Sequence, residues 1–227
     1  MDRNPLTIDS TATRLGTRAD TEAQRVLKNT YLLLSASLLF SAATAGASMT
    51  YGWAPPGILV TLVVFYGLLF AIEKMRNSAW SIALVFALTG FMGLTLGPII
   101  SLYIRALPHG ESIVMTALGI TGATFLSLSA YAVFSKKRFE FMASFLFVGS
   151  MIAFLLGLVA IFFRMEALSL AVSGMFALIS SGMILWQTGE IVNGGERNYV
   201  TATVSLYVSL YNLFLSLLRI LGASDRR

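Results

Sequence analysis

Thr201, Ser205, Ser209, Asn212 and Ser216, followed by Arg219, recur at intervals of four, four, three, four and three residues near the end of the 227-residue chain. On a helix that spacing places neutral hydrogen-bonding groups and one cation along a single face. Such a face can tie neighbouring helices together, or it can line a path for water, protons or a cation. Both readings stay open at this stage. Two further polar residues, Gln187 and Glu190, end the preceding apolar stretch, and Tyr207 and Tyr211 lie one turn apart on a different face of the last one. A second constellation, Gly93, Gly97 and Pro98 in TGFMGLTLGPIISLY, carries no reactive group. It combines a GxxxG pair that admits a close helix neighbour with a proline that removes one backbone hydrogen bond. Such a site is either a gate or only a kinked shape.

Catalytic chemistry finds little to work with. The chain has no cysteine and one histidine, which removes disulfides, thiolate nucleophiles and the two-histidine zinc motifs. His109 lies between Pro108 and Gly110 in a connection, so a serine nucleophile inside the membrane would lack a base. All four aspartates (Asp2, Asp9, Asp20, Asp225) are near the termini, which rules out a pair of helix-borne catalytic aspartates. Ser173 and Ser181, each followed by glycine in SG pairs, read as packing positions. No phosphate-binding or dinucleotide pattern occurs, no metal or cofactor set is present, and the protein is expected not to be an enzyme.

The elements that carry these residues follow from composition. Only 12% of the residues are charged and 56% are hydrophobic, with a mean hydropathy of +0.78; soluble domains carry about 25% charge. The apolar residues form seven blocks, approximately 31–49, 56–72, 79–104, 112–134, 141–163, 168–186 and 199–221, in which Arg219 is the one charged residue. Crossing about 30 Å of hydrocarbon takes about 20 helical residues, so the chain is predicted to be an all-α integral membrane protein with seven transmembrane helices. The alternating short strands of a membrane barrel are absent. Small residues after the first block, SAATAGA at 41–47, resemble a signal-peptidase site, but the polar lead before it is too long. The first block is expected to be an uncleaved anchor whose small residues pack on neighbours.

Positive charge sets the orientation. One side would hold Arg3, Arg14, Arg18, Arg25, Lys28, Lys74, Arg76, Lys136, Lys137, Arg138 and Arg197; the other would hold Arg105, Arg164, Arg219, Arg226 and Arg227. Eleven against five predicts a cytoplasmic N-terminus and, with seven crossings, an extracytoplasmic C-terminus. The basic residues at the C-terminus resist this scheme, and a re-entrant seventh segment would move them inside. The length of that segment favours a crossing. The net charge of +5 is read as topology and not as nucleic-acid binding.

Three regions are expected: a disordered cytoplasmic arm at 1–29, a seven-helix domain at 30–222 and a short tail at 223–227. The arm mixes charges with few apolar residues and cannot bury enough surface to fold alone. In WQTGEIVNGGERNYV, at 186–200, Gly194 and Gly195 suit a helix end in left-handed geometry, and Glu196 would sit near the positive end of the last helix.

The order of the seven segments, the run FALTGFMGLTLGPIISLY and above all GGERNYVTATVSLYVSLYNLFLSLLRILG resemble the Bax inhibitor-1 family, and most closely its bacterial inner-membrane members. The likeness covers nearly the whole chain, with the last helix its most specific part. It implies a six-helix bundle around a central seventh helix. Many members are cation or calcium leaks gated by two aspartates, one late in the sixth helix and one in the seventh; here Gln187 and Ser209 stand at those places, and neither titrates. The bacterial members implied by the resemblance are associated with FtsH, a membrane-anchored ATP-dependent protease, and its partners HflK and HflC. A modulator of that protease, and a slowly processed substrate of it, is the function this implies. A calcium or proton leak with altered pH sensing, through Gln187, Glu190, Ser209 and Asn212, is the alternative.

Overall fold

The structure, a computed structural model, describes residues 5–135, 137 and 140–225, and of residues 5–20 and 140 the backbone alone. Seven helices follow in order: α1 Pro5–Tyr51, α2 Ile58–Met75, α3 Trp80–Ala106, α4 Gly110–Ser135, α5 Glu140–Phe162, α6 Glu166–Val192 and α7 Tyr199–Ser224. All seven contain a stretch long and apolar enough to cross a membrane. Among the described residues there is no strand. The connections are short and built from chain breakers. Gly52 ends α1 at φ +64° and is followed by Pro55 and Pro56. Gly194 ends α6 at φ +75°, the left-handed geometry expected there. Its N–H donates to the Ile191 carbonyl and that of Gly195 to the Glu190 carbonyl, so the two glycines satisfy two of the carbonyls that the end of α6 leaves free.

Two helices extend furthest past their apolar blocks. The first block was expected to begin at Tyr31, whereas α1 continues backwards as helix to Pro5. Val26 and Thr30 are already buried in the bundle. Of the expected arm, residues 1–4 lie outside the described residues, as do Arg226 and Arg227 of the expected tail and Lys136 and Arg138 of the fourth connection. α6 runs six residues beyond Trp186, so Gln187 and Glu190 lie in its last turns.

α1 and α3 share the most extensive interface, and its cause is the absence of side chains. A Cβ on Gly93 would collide with the Ser41 carbonyl and the Thr44 hydroxyl, one on Gly97 would stand 2.7 Å from the Ala45 carbonyl, and one on Gly90 would strike the Phe40 ring. The GxxxG pair and the small residues of the first segment are therefore two halves of one contact. Ser48 lies directly against Gly97, and its hydroxyl donates to the Leu94 carbonyl at 3.0 Å. That carbonyl is the one whose helical donor Pro98 removes.

α7 is the most enclosed helix of the seven. It packs on α6, α1, α4 and α3, while α2 lies outside on α3 and α5 outside on α6. The tyrosine face of α7 is closed. Tyr207 Oη lies 2.7 Å from Ser41 Oγ and 3.3 Å from the Thr89 carbonyl oxygen, to which it donates, and Tyr211 Oη lies 3.2 Å from Thr95 Oγ1. Thr203 donates to the Thr30 carbonyl of α1 at 3.3 Å.

The ends of the bundle are tied separately. At one end, the Asn198 side chain caps α7 by accepting from the N–H groups of Val200 and Thr201, and donates to the Arg76 carbonyl. Asn193 donates to the Lys137 carbonyl at the same end. At the other end, His109 Nδ1 lies 3.1 Å from Asp225 Oδ1. α7 thus runs from the end of the bundle that holds the second, fourth and sixth connections to the end that holds the third.

Candidate functional site

The polar stripe of α7 lies on the side left free by α2 and α5. Thr201, Ser205, Ser209 and Asn212 line a cavity of about 500 Å³ walled by Leu69, Ile72 and Glu73 of α2 and by Phe176, Ile179, Ser180 and Met183 of α6. Asn212 and Phe176 also line the next cavity, about 510 Å³, where Ser216 and Arg219 continue the stripe between α3 and α5. Arg219 opens in turn into a third space of about 650 Å³ with Tyr103 and Glu166. Shared lining residues make these one trench along α7.

Side walls rather than a closed ring bound this trench. Leu102 on α3 is 63% exposed and Leu158 on α5 is 50% exposed, so the wall opens towards the surrounding lipid. Some of the hydroxyls around the trench are satisfied within their own helices. Ser209 donates to the Ser205 carbonyl at 2.8 Å, and across the trench Ser150 and Ser173 donate to the carbonyls of Leu146 and Ser169 on their own helices. Bonding to the carbonyl one turn back satisfies a hydroxyl without any neighbour. The hydroxyl of Thr201, in contrast, is buried without a hydrogen-bond partner.

The other residues singled out by sequence fall elsewhere. Gln187 is 4% exposed within α6, and it is not among the residues lining the trench, whereas Ser209, 5% exposed, is on its floor. Glu190 folds over the α6 end, its carboxylate against Gly195. Gly93 and Gly97 are locked under α1, and neither they nor Pro98 line the trench. No group of three or more His, Asp or Glu residues placed to hold a metal occurs among the described residues. Sequence reasoning missed Glu73 and Glu166, because both stand at the margins of apolar blocks and reach the trench only through helix packing.

A seven-helix membrane bundle with a buried last helix and a hydroxyl-lined trench is the class these observations define. The chain belongs to the Bax inhibitor-1 family: residues 23–226 match the family described as Inhibitor of apoptosis-promoting Bax1. It is 49% identical over 203 residues to the Modulator of FtsH protease YccA of Escherichia coli, covering 89% of this chain and 91% of that protein. It is also 48% identical over 201 residues to an uncharacterised protein of Pseudomonas aeruginosa, covering 88% and 90% of the two chains. A membrane protein of Vibrio cholerae is 46% identical over 202 residues, with 88% and 90% covered.

Proposed function

We propose that the protein is a non-enzymatic, multi-pass protein of the bacterial inner membrane that modulates the FtsH protease and is itself a slowly processed substrate of it. The observation that carries this reading is the near full-length identity to a relative whose name states that role. HflK and HflC are proposed as further members of the assembly. The N-terminus would be cytoplasmic and the C-terminus extracytoplasmic, as the distribution of Lys and Arg supports.

The packing offers a physical basis. An ATP-driven protease grips a chain end, and here the N-terminal stretch from Pro5 is continuous with the membrane part of α1. Withdrawing α1 would break the Gly90–Gly93–Gly97 contact, the Ser48 bond to Leu94 and the Ser41 bond to Tyr207 together. A substrate held this way would occupy the protease while resisting extraction. Co-purification from mild detergent with FtsH, HflK and HflC tests the association. Turnover of an independent FtsH substrate should fall when the full chain is added and recover when residues 1–20 are deleted; no association and no effect on turnover would refute the reading.

A cation leak is the second reading, and the Thr201–Ser216 stripe along the trench is the observation that favours it. The lateral opening and the absence of carboxylates at positions 187 and 209 weigh against it. Calcium and proton flux into liposomes carrying the purified chain decides between them: flux that Asn212→Leu abolishes would establish the leak.

A further inference from the structure

Arg219 is the one charge within the seven apolar blocks, and neither orientation nor the protease reading uses it. A guanidinium placed among transmembrane helices ordinarily finds a carboxylate or a hydrated cavity. Among the described residues the ion pairs are Arg76 with Glu73 and His109 with Asp225, so Arg219 has no carboxylate within ion-pair distance. It is exposed instead at the place where two spaces meet. On one side is the 650 Å³ space shared with Glu166 and Tyr103 near the end of the bundle. On the other is the 510 Å³ part of the trench, an apolar slot between α3 and α5. Leu102, Leu158 and Ile161 at the slot's margin are exposed, so it is open to the bilayer.

This arrangement has the shape and charge order of a phospholipid. A cation and an anion share the space nearest the membrane surface, and an apolar slot runs from the cation into the membrane. We propose that the trench seats one zwitterionic phospholipid of the phosphatidylethanolamine type. Its phosphate pairs with the Arg219 guanidinium, its ammonium with the Glu166 carboxylate, and one acyl chain lies in the slot against Leu215 and Phe154. Arginine suits this role because its planar fork binds two phosphate oxygens at once. Glu166 sets the headgroup: an anionic headgroup such as phosphatidylglycerol has no cation to offer it. Of the slot's serines, Ser173 already donates to the Ser169 carbonyl of its own helix, so an acyl chain can cover that hydroxyl without desolvating a free donor.

Native mass spectrometry of the full chain in mild detergent, titrated separately with dioleoyl phosphatidylethanolamine and dioleoyl phosphatidylglycerol, tests the proposal. One retained phosphatidylethanolamine is expected, with phosphatidylglycerol held more weakly. Arg219→Ala should lower retention about tenfold, the loss expected for a charge-assisted hydrogen bond. Glu166→Gln should abolish the preference between the two lipids. Gly157→Leu fills the slot from a position where a Cβ meets only Val172 at 3.6 Å, so it should displace the acyl chain while the bundle stays folded. Equal retention by wild type, Arg219→Ala and Gly157→Leu would overturn the proposal. So would efficient disulfide trapping of a Gly157→Cys chain to itself in membranes, which would assign the slot to a second copy; the absence of native cysteine makes that result unambiguous.

Discussion

The Ser48 hydroxyl donates to the Leu94 carbonyl across the α1–α3 interface, at the one carbonyl of α3 that Pro98 deprives of its helical donor. Glycine at position 97 is what lets Ser48 come close enough, since a Cβ there would stand 2.7 Å from Ser48 Cβ. Three adjacent features of one helix, GxxxG, proline and a neighbouring serine, are thus one device. Proline stays inside a transmembrane helix because another helix completes its hydrogen bonding.

The first prediction follows from that device. Ser48→Ala should destabilise the bundle by about 1–3 kcal/mol, the range for a buried acceptor left unsatisfied. In a Pro98→Ala background, where the backbone N–H returns to Leu94, the same change should have almost no effect. A double-mutant cycle on thermal unfolding in detergent measures the coupling, and independent effects of the two substitutions would contradict it.

Glycines of this chain should fall into two groups. Gly93→Ala forces a Cβ into the backbone of α1 at Ser41 and should prevent assembly of a stable bundle. Gly119→Ala and Gly122→Ala on α4 meet no atom within 4 Å. There the expected change is neutral or slightly stabilising, because alanine is the better helix former. Monodispersity after extraction and the unfolding midpoint separate the groups.

Removing the Tyr207 hydroxyl should loosen α7 from both α1 and α3, because that group meets Ser41 and the Thr89 carbonyl together. Tyr207→Phe is expected to cost about 0.6 kcal/mol, the average for an interhelical hydrogen bond in a membrane, and no more than about 1.7 kcal/mol. Tyr211→Phe, with the longer 3.2 Å contact to Thr95, should cost less. Amide exchange in α7 should accelerate in the order wild type, Tyr211→Phe, Tyr207→Phe; the reverse order would refute the assignment.

Orientation is testable residue by residue in a chain without native cysteine. Lys137→Cys stands at the end that carries Arg76, Asn193 and Asn198, and Ser224→Cys stands at the end where Asp225 meets His109. An impermeant maleimide added to intact spheroplasts should label Ser224→Cys and not Lys137→Cys. Labelling of Lys137→Cys alone would invert the proposed topology.

Much of this architecture is legible in the amino-acid order, for a physical reason. The bilayer is a uniform apolar solvent, so crossing it imposes a length and a composition on each segment whatever its neighbours are. The seven helices, the left-handed turn at Gly194 and the tight seat of Gly93 and Gly97 all follow from local rules of that kind. The family follows from the long final helix, whose run of polar and aromatic residues is too specific to be shared by accident.

What tertiary structure alone decided is which way each face points. Periodicity places Thr201, Ser205, Ser209, Asn212 and Ser216 on one side of α7, but it cannot say whether that side meets a pore, a packed helix or the bilayer. Because α2 leans on α3 and α5 on α6, the stripe lies along a lateral trench. The tyrosines carry the contacts between helices. Gln187 and Ser209, equivalent on paper, part company for the same reason: one is enclosed within α6 away from the trench lining and the other lies on the trench floor. Helix formation is governed by neighbours in sequence and by the solvent, whereas a face acquires its meaning from helices that come together only when the whole chain has packed.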